Sequence, residues 1–153
     1  MVKISNNTFK LQVKELEKYI KEKMNFSVVY KDIETCECHY TKKIIVVDSK
    51  LNFEPMFYLM LHEVGHAKLY NKNKRYDKKY NEIYENFSKG SFTYKTTILQ
   101  EELDAWQEAI ILCKKLEFKI NKKSFEVEKT KCIMSYINWI SATHQKNKER
   151  KSI

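Results

Sequence analysis

The chain has 153 residues, of which 42% are hydrophobic and 32% are charged. This length and composition predict one domain with a single core. The domain is expected to end in a basic tail at about 146–153. Lysine and arginine outnumber aspartate and glutamate by 29 to 20, which gives a formal net charge of +9. This composition argues against disorder, and no stretch has the length of a membrane span or the pattern of a signal peptide. We therefore expect a cytoplasmic protein whose cysteines are reduced, at Cys36, Cys38, Cys113 and Cys132.

The first element predicted is an amphipathic helix from Thr8 to Met24, with Thr8 or Asn7 as its N-cap. Its apolar face is expected to include Leu11, Leu16, Tyr19 and Ile20.

Three β-rich runs follow, at 27–30, 35–40 and 43–48, and the last two are close enough to form a hairpin. Together they predict a small antiparallel sheet. Cys36 and Cys38 lie on one face of a strand, and the chain has no second pair of ligands at matching spacing. We interpret them as core-facing residues rather than as a metal site.

The segment His62-Glu63-Val64-Gly65-His66 comes next, on a helix with apolar flanks that opens near Pro55. Residues four apart share a helix face, so His62 and His66 can both bind one zinc ion. Glu63 lies beside the open coordination position, where a carboxylate can act as the base that deprotonates water. Gly65 costs about 1 kcal/mol in mid-helix, which indicates that something packs closely against it.

A catalytic zinc ion usually takes a third protein ligand. A nearby third histidine is excluded because Leu69 and Lys72 occupy the positions of the glycine and histidine that this pattern needs. The helical run 98–109 contains Glu101 and Glu102. Positions at helical spacing from Glu102 are apolar, so Glu102 should face the core, where a cation would balance its charge.

Other readings of this run remain open. Glu102 could instead pair with a lysine or arginine, or lie at the edge of the core. Glu101 shares a face with Asp104 and Glu108 that looks solvated, and it is the alternative metal ligand. Asp104 and Asp77 are further candidates, the latter in a lysine-rich stretch that looks like an exposed loop.

The His62–His66 segment and Glu102-Leu103-Asp104-Ala105 resemble the ImmA/IrrE-type metallopeptidases, a family of prokaryotic and phage proteins. In that family, a second helix carrying Glu-x-x-Ala follows the motif helix. The resemblance covers about residues 25–115, including the order of hairpin, motif helix and glutamate helix. The chain departs from the family at Trp106, where asparagine or aspartate is common, and in a polar insertion at about 71–94.

The resemblance implies a gluzincin-type zinc endopeptidase, with His62, His66 and Glu102 as Zn²⁺ ligands and Glu63 as the catalytic base. It also implies a restricted substrate inside the cell, such as a repressor or another regulator, for a protein of a phage or mobile element. We expect a further donor for the oxyanion formed at the scissile carbonyl, and Tyr94 and His144 are the candidates.

The remaining predicted elements are a helix at 78–87, a turn at 89–91 and an amphipathic helix at about 124–145. The whole pattern predicts an α+β fold in which the sheet packs on a bundle of helices. The positive charge leaves two other functions open, a nucleic-acid-binding module with a structural zinc and a protein-interaction module that does not cut. Nucleic acid would contact 72–79 and 146–151.

Overall fold

The structure is a computed structural model that describes the backbone of residues 4–150 and the side chains of residues 4–142. It confirms the α+β fold class. In chain order the elements are α1 (Asn6–Tyr19) with a π-helical turn (Ile20–Met24), β1 (Ser27–Lys31), β2 (Glu37–His39), β3 (Ile44–Asp48), α2 (Phe53–Tyr70), α3 (Lys74–Tyr76) with a π-helical turn (Asp77–Asn81), α4 (Glu82–Asn86), α5 (Phe92–Lys115) and α6 (Lys122–Arg150).

The sheet is mixed rather than wholly antiparallel. β3 lies in the centre, pairs antiparallel with β2 as the predicted hairpin requires, and pairs parallel with β1. β3 takes the central position because Ile45, Val46 and Val47 are all buried, so both of its faces are covered. β2 is therefore an edge strand, and this edge reaches the site described below.

Helix α1 begins earlier than expected, and its N-cap is Ser5, whose hydroxyl accepts from the backbone N–H of Thr8. The prediction that Leu11 faces the core is wrong, since this side chain is 54% exposed. Phe9 is buried in its place, because its ring packs against the aromatic rings of Phe57 and Tyr58 on α2.

Helix α2 is the centre of the fold and packs against α1, α5 and β3. Gly65 confirms the predicted close approach, because a Cβ at this position would lie 2.1 Å from the carbonyl oxygen of Ala105 on α5. The two backbones can approach this closely only without a side chain at residue 65.

The lysine-rich stretch after α2 is not the exposed loop that its charge indicated. It forms consecutive helical turns in which Tyr76 and Tyr80 are buried beside Leu69 and Ala105. Tyrosines recur here every four residues, which gives one apolar helix face among the lysines. Asp77 is exposed and accepts a hydrogen bond from Asn81, so it lies away from the histidines.

The connection between α5 and α6 is fastened to α1. The side-chain amide of Gln12 donates to the carbonyl of Lys119 at 3.0 Å, and its oxygen accepts from the Lys119 N–H at 2.6 Å. Phe125 then anchors the start of α6 against Tyr58 and Trp106.

Helix α6 continues beyond the predicted end at residue 145, to Arg150. The side chains of the predicted basic tail lie outside the described residues, as does all of 151–153. Within the described residues, no helix has both the length and the apolar character that crossing a membrane requires.

Candidate metal centre

Helices α2 and α5 bring two imidazoles and one carboxylate together in the interior. Nε2 of His62 lies 3.1 Å from Oε2 of Glu102, and Nε2 of His66 lies 3.4 Å from Oε1 of the same residue. All three side chains are buried, and their ligand atoms lie within 4.8 Å of one another. A tetrahedron with metal–ligand bonds of about 2.0–2.1 Å has edges of about 3.3 Å, so these separations fit a shared divalent cation.

The unpaired atoms at this point support a cation site. Among the described residues, Nε2 of His62 and Oε2 of Glu102 are buried and have no hydrogen-bond partner, although they face each other. A buried polar atom without a partner costs about 1–3 kcal/mol. Two imidazole nitrogens and a carboxylate are also a ligand set that zinc prefers, and a third protein ligand leaves one position open.

The three side chains are strongly coupled in charge. Burial disfavours the charged form of Glu102, but its close contacts with His62 and His66 and their attraction outweigh burial and hold its pKa well below the ordinary value. Burial would likewise lower the pKa of His66, yet Glu101 and Glu102 raise it to about 10. Contacts with Glu102 and Glu63 raise the pKa of His62 in the same way, against its burial.

Trp106 fixes the plane of the first histidine. Its indole stacks on the ring of His62 with centroids 4.4 Å apart and planes at 16°. Trp106 lies one turn after Glu102 on α5, so the same helix supplies the carboxylate of the cluster and the ring that packs on His62. Trp106 thus forms an aromatic wall against one face of the His62 ring.

Glu101 is not on the solvated face that helical spacing suggested. It is buried, and its carboxylate accepts from Tyr40, Tyr76 and Tyr84. Oε1 of Glu101 lies 3.5 Å from Nδ1 of His66, on the side of the ring opposite the Nε2 that faces Glu102. The structure thus places Glu102 with the two Nε2 atoms, and Glu101 behind His66.

The residues that explain the burial of Glu101 are distant from it in the sequence. Nothing adjacent to Glu101 predicts its burial, because its partners come from the turn after β2 and from the insertion. Asp104, another candidate, lies on the outer side of α5 and accepts from Lys79, Tyr80 and Gln100.

Two cavities share part of their lining at the cluster. One, of about 300 Å³, is bounded by the segment before β2, by α2 and by α6; the other, of about 310 Å³, is bounded by β2, α2 and Tyr136. Glu63, His62 and Glu102 line both. The cluster thus opens into a cleft between the edge strand β2 and helix α6, where the carboxylate of Glu63 lies 3.4 Å from Nδ1 of His62.

Tyr94, one of the two predicted oxyanion donors, is not among the described residues that line this cleft. Tyr94 lies in the first turn of α5 with its ring against that of Tyr84, and the side chain of His144 lies outside the described residues. Tyr136 on α6 lines both cavities instead, and its hydroxyl contacts Glu102.

Burial and the charge of Glu102 raise the pKa of Tyr136, so its hydroxyl keeps its proton and can donate. In the sequence, Tyr136 falls among the apolar positions of the amphipathic pattern in the last helix, and nothing near it indicates the cleft. A tyrosine at an apolar helix position could have indicated a polar contact in the interior, because a buried hydroxyl needs a polar partner.

The cysteines among the described residues are free, as predicted. Cys36 and Cys38 pack against the core at the edge strand, and they also line the cleft. Burial raises the pKa of the Cys36 thiol to about 11, so it stays protonated at neutral pH.

The lysines proposed for nucleic-acid contact at 72–79 include two that bind carboxylates of α5. Lys72 contacts Glu108, and Lys79 contacts Asp104. The other predicted contact stretch, 146–151, has no described side chains.

No known protein family, curated protein or solved structure was found to match this chain.

Proposed function

We propose that the protein is a zinc-dependent endopeptidase. The observation that carries this proposal is the convergence of His62, His66 and Glu102 on one point of a cleft that Glu63 also lines. A structural zinc site is usually closed by four protein ligands, whereas this cluster offers three and faces open space. Open space beside a metal ligand set is what a hydrolytic site needs.

The three ligands would hold Zn²⁺, which lowers the pKa of water and polarises a carbonyl when bound. Glu63 would take a proton from the attacking water and deliver it to the amine nitrogen as the peptide bond breaks. The hydroxyl of Tyr136, held at the same end of the cleft, would donate a hydrogen bond to the carbonyl oxygen as negative charge develops there. Trp106 would keep His62 in the orientation that binding requires.

The shape of the cleft supports cleavage within a chain. The two cavities that Glu63 lines, of about 300 and 310 Å³, leave room for a peptide segment beside the ligand set. The resemblance to ImmA/IrrE-type peptidases suggests a particular regulatory protein, such as a repressor, as the substrate. Free cysteines fit a reducing compartment, and we place the activity in the cytoplasm.

Glu63→Gln tests the proposal, because it removes the base and keeps the size of the side chain. Purified protein loaded with zinc would be incubated with a library of proteome-derived peptides, and new termini would be identified by mass spectrometry. We expect the variant to bind zinc and to lose cleavage by at least about 100-fold. Glu54→Gln, at the start of the same helix, is the matched control and should cleave like the unmodified protein. Equal cleavage by the Glu63 variant would contradict the proposal.

A further inference from the structure

Three tyrosine hydroxyls converge on the carboxylate of Glu101. Tyr40 and Tyr76 donate to Oε1 at 2.9 and 2.8 Å, and Tyr84 donates to Oε2 at 2.5 Å. Tyr40 belongs to the turn between β2 and β3, Tyr76 to α3 and Tyr84 to α4. We refer to these three residues as the tyrosine cage. Two of its members come from the 71–94 insertion, for which the proposed reaction has no other use.

The cage determines which nitrogen of His66 carries a proton. A phenol has one hydrogen to donate, and Tyr40 gives its hydrogen to Glu101, so its oxygen can only accept from Nδ1 of His66, 3.3 Å away. Nδ1 also faces Oε1 of Glu101 at 3.5 Å, and a carboxylate is an acceptor. In the neutral ring the proton therefore resides on Nδ1. The lone pair is left on Nε2, which faces Glu102.

The same hydrogen bonds keep Glu101 charged. A buried carboxylate is stable only if its oxygens are well supplied with donors, and the cage supplies three. A negative charge thus lies directly behind a histidine whose other nitrogen faces the cluster.

We propose that Glu101, held by the tyrosine cage, is a positioning residue that orients His66 and increases the affinity of the centre for zinc. Carboxylates that accept from a metal-binding histidine commonly fix its tautomer and make it a stronger ligand. The inference rests on the proposed zinc site but not on peptide cleavage. According to this proposal, the role of the insertion is to bring Tyr76 and Tyr84 to the side of the site where Glu101 faces Nδ1 of His66.

Zinc affinity measured by competition with a chromophoric chelator tests this proposal. Glu101→Gln should weaken zinc binding by about 10–100-fold, and the double variant Tyr76→Phe/Tyr84→Phe should weaken it by about tenfold. Tyr80→Phe is the matched control, since Tyr80 is buried in the same segment but donates to Asp104. It should bind zinc like the unmodified protein, even if it is somewhat less stable.

Two spectroscopic measurements separate positioning from a purely structural role. In the zinc-loaded protein, ¹⁵N spectra of the histidine rings should show His66 protonated at Nδ1, and Glu101→Gln should weaken or shift that signal. The visible absorption of the Co²⁺-substituted protein should change in Glu101→Gln and in the double variant but not in Tyr80→Phe. A loss of packing alone would lower the melting temperature of the metal-free protein and leave both spectra unchanged.

The inference is overturned if folded Glu101→Gln and the double variant both bind zinc as tightly as the unmodified protein. If Glu101→Gln does not fold, the double variant decides the matter, because it removes only two hydroxyl groups. If the variants bind zinc in the predicted order of affinities but the unmodified protein cleaves no peptide, the proposed function is refuted and this inference stands. Unchanged zinc affinity in both variants, together with peptide cleavage by the unmodified protein, would overturn this inference and leave the proposed function standing.

Discussion

The backbone of Ala105 occupies the place where a side chain of residue 65 would begin. A Cβ on Gly65 would lie 2.1 Å from the Ala105 carbonyl oxygen and 2.8 Å from its carbonyl carbon. Ala105 lies one turn after Glu102, and Gly65 immediately precedes His66. The contact between these two small residues therefore sets the distance between the histidines of α2 and the glutamate of α5.

Gly65→Ala should force the two helices apart. Overpacking of this kind costs about 1–3 kcal/mol, and we expect a net decrease in the free energy of unfolding although alanine favours a helix more than glycine does. Urea denaturation and zinc affinity would both be measured, and both should fall. Gly90→Ala is the control, because nothing lies within 4 Å of a Cβ at that position. Equal stability of the two variants would show that α2 and α5 can separate at no cost.

Glu102→Ala should abolish tight zinc binding, because it removes one of three ligands and leaves the two histidines without their carboxylate. We expect zinc affinity to fall by at least about 100-fold, measured by chelator competition and by the metal content of the purified protein. Glu108→Ala, on the same helix, loses only contacts with Lys68 and Lys72 and should retain zinc. Full zinc occupancy in folded Glu102→Ala would exclude this residue as a ligand.

Tyr136→Phe and Tyr94→Phe form a matched pair, one at the cleft and the other away from it. Loss of an oxyanion donor typically reduces kcat by about 10²–10³, so Tyr136→Phe should show that loss with little change in KM or in zinc affinity. Tyr94→Phe should be close to normal. The opposite ranking of kcat would contradict the role proposed for Tyr136, and a loss of zinc from Tyr136→Phe would show that its hydroxyl serves Glu102 instead.

The metal-free protein should lose stability as the pH rises above neutrality. His62 and His66 have pKa values raised above 6.5 in the folded state, because nearby carboxylates outweigh the effect of burial. Their contribution is complete below about pH 6.5 and is lost as the pH approaches about 10, the value for His66. The lowered pKa of Glu102 works in the opposite sense, so its contribution is present above about pH 4.5 and is lost in acid.

The site should therefore stabilise the metal-free protein most between about pH 4.5 and 6.5. Urea unfolding in the presence of a chelator, from pH 4 to 10, would measure this profile. Substitution of His66 by glutamine should flatten its alkaline side, whereas His39→Gln, at a half-exposed position on β2, should not. With saturating zinc the decline above neutrality should disappear, because metal binding requires deprotonated imidazoles. A metal-free profile that rises from pH 6.5 to 10 would contradict the assigned pKa directions.

The local pattern of the sequence was sufficient to predict which side chains of α2 and α5 come together in the buried cluster. His62, Glu63 and His66 lie within about one helical turn. The burial of Glu102 follows from its apolar neighbours at helical spacing. Gly65 could be interpreted because a mid-helix glycine in a chain with only two glycines calls for a close contact. Each of these inferences depended on residues a few positions apart.

The parts that sequence reasoning missed depend on distant residues. Glu101 was assigned to solvent because its neighbours on α5 are charged, yet hydroxyls from residues 40, 76 and 84 cover it. Leu11 has the spacing of a core residue, but packing on α2 selects Phe9 instead. Tyr136 faces the site only because α6 crosses α2 beside it, which helical periodicity within α6 does not reveal.

The double hydrogen bond between Gln12 and Lys119 joins residues 107 positions apart, and it fastens the connection from which α6 begins. Closing so long a loop has a high entropic cost, and contacts of this kind generally form late in folding. A nascent chain that ends before residue 119 would already contain both histidines and Glu102 but would lack one wall of the cleft. The three side chains of the cluster thus belong to the first three quarters of the chain, whereas the cleft is complete only once the last quarter is present.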